Sequence, residues 1–236
     1  MRRAALICVS MAILGSEWAW PMKAQTDPAA PGDSSVSRIT ERPDPRTIDG
    51  VAARIEDDII TESEVRELAA FQVLVEGHSK PREELIRELT DQWIVSGEAN
   101  LAHYSPPSES EVNRAFEQLV ARFSSPEEFK KRCAQVDITE ADVRRSLAKQ
   151  IYLSQFLDYR FRPAAQIDRE QIEAYYSNEL VPKLKAQDQP VPALDDVQDT
   201  IQEVLVQRAI SERSAEWLNE TRTRLKIDVL PAEDQP

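Results

Sequence analysis

The sequence predicts a mostly α-helical domain with a small β element that joins its two ends, and three observations predict it. Hydroxyl-led helix start signals recur along the chain, and the apolar residues between them repeat at helical spacing. Only the two ends of this stretch alternate with the period of a strand. With 236 residues, 41% of them hydrophobic, the chain can fill one sizeable core.

The first element is "VAARIEDDIIT", Val51 to Thr61, whose two β-prone arms flank a polar centre, Glu56 to Asp58. That pattern suits a hairpin leading into a helix. "TESE" (Thr61 to Glu64), "SESE" (Ser108 to Glu111) and "SPEE" (Ser125 to Glu128) each set a hydroxyl at a helix N-cap and a carboxylate three residues on. Such a pair satisfies two orphan amide donors reciprocally. "TEAD" (Thr139 to Asp142) is a weaker version of the same box. Pro126 presets the backbone at a first helical position, Pro81 opens another helix, and Asp168 is placed to cap a further one.

Between these signals run the stripes. Val65, Leu68, Ala69 and Val73 form one, Leu85, Leu89, Trp93 and Leu101 the next, and Val112, Phe116, Leu119 and Phe123 a third. Thr139 to Phe161 carries Val143, Leu147 and Ile151, then turns apolar on more than one side at Tyr152, Leu153, Phe156 and Leu157, which predicts a central helix. Leu194 to Arg222 lays Val197, Ile201, Val204, Leu205 and Trp217 on one side, to pack back on the earlier helices. "RLKIDVL" (Arg224 to Leu230) alternates apolar and polar residues as a strand. A lone hairpin is marginal in water, so the economical arrangement pairs this last strand with the first.

Ahead of the folded stretch, Arg2 and Arg3, the apolar run "AALICVSMAILG" and a small-residue exit near Ala24 read as a cleavable export signal over residues 1 to 25. The run is too short to span a bilayer, which needs about 20 residues. Residues 26 to 48, rich in Pro, Asp and Ser without apolar period, read as a disordered linker. Loss of residues 1 to 25 removes three cations and one anion, moving the formal charge from -13 to about -15. So acidic a chain is a poor partner for nucleic acid or anionic lipid.

The search for chemistry returns no catalytic, metal or cofactor residues. His78 and His103 sit at helix boundaries, without a cysteine or ligand repeat nearby. Cys133, the one cysteine beyond the signal, reads as a half-buried helical residue. The acidic residues read as caps and solvated faces, and Arg144 and Arg145 as surface charge.

Taken together, "VAARIEDDIITESEV", "REELIRELTDQWIVSGEANL", "SESEVNRAFEQL", "SPEEFKKRCAQVDITEADVRRSLAKQIYLSQFL", "DREQIEAYYSNEL" and the long terminal helix with its strand resemble, in order and spacing, the SurA-type periplasmic chaperones and related parvulin-like prolyl isomerases. The resemblance covers Val51 to Leu230. It departs in two places. "IEDDII" lacks the turn glycine usual in relatives, and the connector Val181 to Ala193 stands where many relatives insert a parvulin domain. So short a connector cannot fold as a domain. The resemblance implies a chaperone core, residues 49 to 231, that holds unfolded or partly folded exported clients such as outer-membrane proteins, in the periplasm and without stable membrane insertion. A prolyl isomerase with residual activity and an assembly factor for one dedicated partner are the alternatives. Tyr159, Phe161, Tyr175 and Tyr176 flank the connector and are the candidate peptide-binding residues; simple core packing is the competing role for each.

Overall fold

A two-residue turn, Glu56 and Asp57, joins strand β1 (Val51–Ile55) to β2 (Asp58–Thr61) in the computed structural model, which describes residues 49 to 231. The export signal and the linker expected over residues 1 to 48 lie outside the described residues. Glu56 takes a left-handed backbone (φ 51°), a region that favours glycine. Its position is held from the far end of the chain. Glu56 N–H donates to the Lys226 carbonyl (3.0 Å), and Lys226 N–H donates to the Glu56 carboxylate (2.7 Å). Strand β3 (Ile227–Val229) then pairs antiparallel with β1, and the sheet order is β2-β1-β3. The expected closure of the two ends is present, and the missing turn glycine is answered by a side chain.

The sheet buries Ala52, Ala53, Ile55 and Ile60 against Val65 and Leu68 of helix α1 (Glu62–Glu76) and Leu85, Ile86 and Leu89 of α2 (Arg82–Leu101). Helices α3 (Glu109–Val120), α4 (Pro126–Gln135) and α5 (Glu140–Phe161) follow. A second cluster unites Phe71 and Leu74 of α1 with Phe116, Leu119, Phe129, Cys133 and Val143. Thr61, Ser108 and Thr139 each form the complete capping box, so the Thr139 box is as full as the others. Ser125 departs from expectation. Its hydroxyl accepts from Glu128 N–H (3.1 Å), but no reciprocal bond from Ser125 N–H to the Glu128 carboxylate closes the box. Asp168 caps α6 (Arg169–Tyr175) with Gln171 as its partner. Pro81 stands one place earlier than a first helical residue, at the N-cap of α2.

Helix α5 is central: it packs on α1, α2, α3 and α8 (Leu194–Arg224). Phe156 (1% exposed) and Leu153 of α5 meet Val95 and Ala99 of α2, with Trp217 and Leu218 of α8 against them. A phenylalanine so covered contributes about 2–3 kcal/mol by burial.

Three expectations need correction. Residues 181 to 193 are not one connector, because the chain stays helical through a π turn (Tyr176–Leu180) and α7 (Val181–Ala186), leaving only residues 187 to 193 as the link to α8. Pro182 supplies the reason. It has no N–H to return to Asn178, and the ladder shifts so that Val181 N–H bonds the Tyr176 carbonyl instead. Leu101 was expected along the buried stripe of α2 but is 79% exposed, since it lies in the final turn of the helix. Val204 is likewise exposed at 36%, while Ile201, Val206, Ile210 and Ser214 form the buried line of α8. Among the described residues no helix is long and apolar enough to cross a membrane.

Candidate functional site

The most exposed aromatic surface is built where α2 ends against the second half of α5. After Leu101 the chain leaves the helix through His103, whose φ of 51° turns it sharply, and Tyr104 N–H returns to the Ala99 carbonyl (2.9 Å). This places the Tyr104 ring among three aromatic rings of α5. Its centroid lies 5.6 Å from Phe156, 5.9 Å from Tyr152 and 5.4 Å from Tyr159. Tyr152, Phe156 and Tyr159 follow at spacings of four and three, so they share one helix face. Phe156 is the buried floor. The Tyr152 hydroxyl donates toward the Tyr104 carbonyl (3.3 Å), fixing the chain behind the platform. Tyr159 is 63% exposed, and with half-buried Tyr104 it presents ring surface to solvent.

Charge surrounds this platform. Burial, then the Asp158 and Glu111 carboxylates, push the Tyr104 phenol above its ordinary value. The Ser108 hydroxyl and amide hold Glu111 below the usual carboxylate range, and the Gln155 amide adds to this (3.0 Å). Arg162 is gripped by Glu203 of α8 (2.7 and 3.0 Å) and by Asp158 (2.8 Å), tying the end of α5 to α8. That bond to Arg162 is also the largest cause of the lowered Asp158 carboxyl. Arg160 pairs with Glu98 (3.0 Å).

The four expected contact residues do not form one surface. Tyr159 belongs to the platform just described. Phe161 is half-buried, its centroid 5.8 Å from Trp217, with the Arg160 guanidinium over both rings. Tyr175 lines a shallow groove of about 350 Å³ between α6 and α8, together with Ile167, Leu205, Ala209, Glu179 and Arg208. Arg208 lies over the Tyr175 ring (5.3 Å) and forks onto both oxygens of Glu179 (2.8 Å each). Tyr176 is half-buried, and its hydroxyl donates to the Pro192 carbonyl (2.6 Å), pinning the link back on the π turn. Phe161 and Tyr176 therefore have structural partners.

Tyr104 and Tyr152 escaped the sequence reading as surface residues. The signal that marks Tyr104 is "LAHYSPP", an aromatic residue between a helix end and a pair of prolines, where no stripe can claim it. Cys133 is buried (6% exposed) rather than half-buried, and burial raises its thiol. Arg144 is not free surface charge: its guanidinium lies 3.8 Å over Phe116 and donates to Asn113 (2.6 Å). Among the described residues no group of three or more His, Cys, Asp or Glu side chains is arranged to hold a metal ion. No known protein-family model and no curated protein matches the chain.

Proposed function

We propose that this chain is an exported, periplasmic chaperone-like protein that holds unfolded or partly folded polypeptides, outer-membrane proteins among them, without a catalytic domain of its own. The observation that carries this is the Tyr104–Tyr159 platform, in which exposed Tyr159 of α5 and half-buried Tyr104, just past the end of α2, present ring surface above the buried Phe156. Tyrosine offers large contact area at low entropic cost, which suits weak binding of many extended segments. Exposed Leu101, three residues before Tyr104, adds apolar surface at the end of α2. The resemblance of Val51 to Leu230 to SurA-type chaperones points the same way, and the link of residues 187 to 193 leaves no room for an inserted isomerase domain. Release of clients held this way needs no nucleotide.

A second function, assembly of one dedicated partner, is favoured by the groove between α6 and α8, whose Arg208–Glu179 fork gives it a fixed polar edge. Aggregation of a urea-unfolded outer-membrane polypeptide on dilution, followed by light scattering, separates the two. The holding function predicts suppression by stoichiometric protein. Unchanged aggregation, with one saturable folded partner in a pull-down, favours the second.

A further inference from the structure

Aromatic rings in this protein are repeatedly covered by guanidinium groups. Arg144 covers Phe116, Arg160 covers both Phe161 and Trp217, and Arg208 covers Tyr175. Tyr104 and Tyr159 receive no such cover among the described residues, although the Asp158 and Glu111 carboxylates act on Tyr104. Glu111 is hydrogen-bonded only by neutral donors, the Ser108 amide and hydroxyl (2.8 and 2.6 Å) and the Gln155 amide (3.0 Å), and Arg114 acts on it only from beyond ion-pair contact, so its charge is not fully cancelled. Asp158 and Glu203 share the single guanidinium of Arg162, which leaves that triad with one net negative charge. Glu98 and Arg160 cancel. The platform thus combines the open π face of Tyr159 with carboxylates that are not fully neutralised, the two features that attract a cation.

We infer that the Tyr104–Tyr159 platform selects client segments in which a Lys or Arg side chain stands beside an apolar residue. This rests on the holding function and names the chemistry of what is held. The cation seats on the exposed face of Tyr159, beside the Tyr104 ring on which the Asp158 and Glu111 carboxylates act, and the apolar neighbour covers the remaining ring surface. A segment with Glu at the same place meets repulsion instead. Because the site is open to solvent, the preference is salt-sensitive; the Debye length shrinks to about 3 Å at 1 M salt.

The test uses the purified full chain and three fluorescent peptides with one shared Leu-Tyr centre, flanked by Lys, Gln or Glu, titrated by anisotropy at low and high salt. The Lys peptide is expected to bind about two- to fivefold more tightly than the Gln peptide at low salt, the Glu peptide weakest, and the spread to narrow at high salt. Tyr159→Leu, which stays apolar at an exposed position, should bring the Lys-to-Gln affinity ratio near one. Glu111→Gln preserves the helix cap and should reduce the ratio. Equal affinity of the wild type for all three peptides overturns the charge selection and leaves the holding function standing. A Lys preference undiminished in Tyr159→Leu overturns it too, tracing the effect to the net charge of the whole chain. Absence of binding by every peptide overturns both.

Discussion

Replacing Asp91 with Leu leaves the Arg222 guanidinium between α2 and α8 without its counter-charge. The two side chains are 17% (Arg222) and 27% (Asp91) exposed, and Nε stands 2.9 Å from Oδ1. Both atoms are shut from solvent, yet the N–H does not aim well enough at the oxygen to form a hydrogen bond, so the contact is an ion pair without that second contribution. Breaking a fully buried pair costs about 3–5 kcal/mol; the residual exposure here brings the expected cost of Asp91→Leu to about 2–3 kcal/mol. Arg222→Leu should cost less, about 1–2 kcal/mol, because the abandoned carboxyl can take up a proton whereas a guanidinium cannot lose one. Burial already raises the Asp91 carboxyl above its ordinary value, with Arg222 pulling the other way.

The sign of the pH effect follows. A folded-state value above the unfolded one means that the folded protein binds the extra proton, so ionised Asp91 weakens folding above its folded value and that penalty fades as pH falls through it. Removing Arg222 raises the carboxyl further. The deficit of Arg222→Leu should therefore be smaller at pH 5 than at pH 7, while that of Asp91→Leu should not shrink. Urea unfolding at both pH values, on wild type, each single variant and the Leu/Leu double variant, supplies the cycle. The double variant should lie within about 1 kcal/mol of wild type or above it. Equal costs for both single variants at both pH values, or a double variant as unstable as their sum, would refute this account of the pair.

Glu56→Ala keeps the left-handed backbone and loses the bond to Lys226 N–H, so it should lower stability by about 1–2 kcal/mol. Glu56→Gly relieves the backbone while losing the same bond, and should fall within about 0.5 kcal/mol of wild type by urea midpoint. Phe156→Ala should cost about 3–5 kcal/mol, against under about 1 kcal/mol for exposed Tyr159→Ala, by thermal and urea unfolding. The Cys133 thiol, buried and raised, should react slowly with a disulfide reagent in the native protein and at the ordinary rate in urea, followed by thiolate release.

Much of the fold was legible because its signals are local. Thr61, Ser108, Thr139 and Asp168 declare their helices through caps, which depend on residues three apart. The pairing of β3 with β1 followed from the instability of an isolated hairpin, a physical argument that needs no contact map. What failed were statements about coverage. Periodicity marks Leu101 and Val204 as apolar members of a face, but where a neighbouring helix stops covering that face is decided by tertiary packing. Helix persistence through Pro182 was hidden because a π turn absorbs a proline that ordinarily ends a helix. The candidate aromatics were grouped by nearness in sequence, and packing then dispersed them to the platform, the Trp217 face, the α6–α8 groove and the Pro192 carbonyl.

The proposed function stands or falls on whether exposed Tyr159 and half-buried Tyr104 hold unfolded chains. The most direct measurement is equilibrium binding of a fluorescently labelled, urea-unfolded outer-membrane polypeptide, with its folded form as control, to the wild type and to a Tyr104→Ser/Tyr159→Ser variant whose helical content is checked by circular dichroism. Selective binding of the unfolded form in the micromolar range, lost in a variant that remains folded, is the predicted result. Absence of binding to either form, or equal binding by the folded variant, would contradict it.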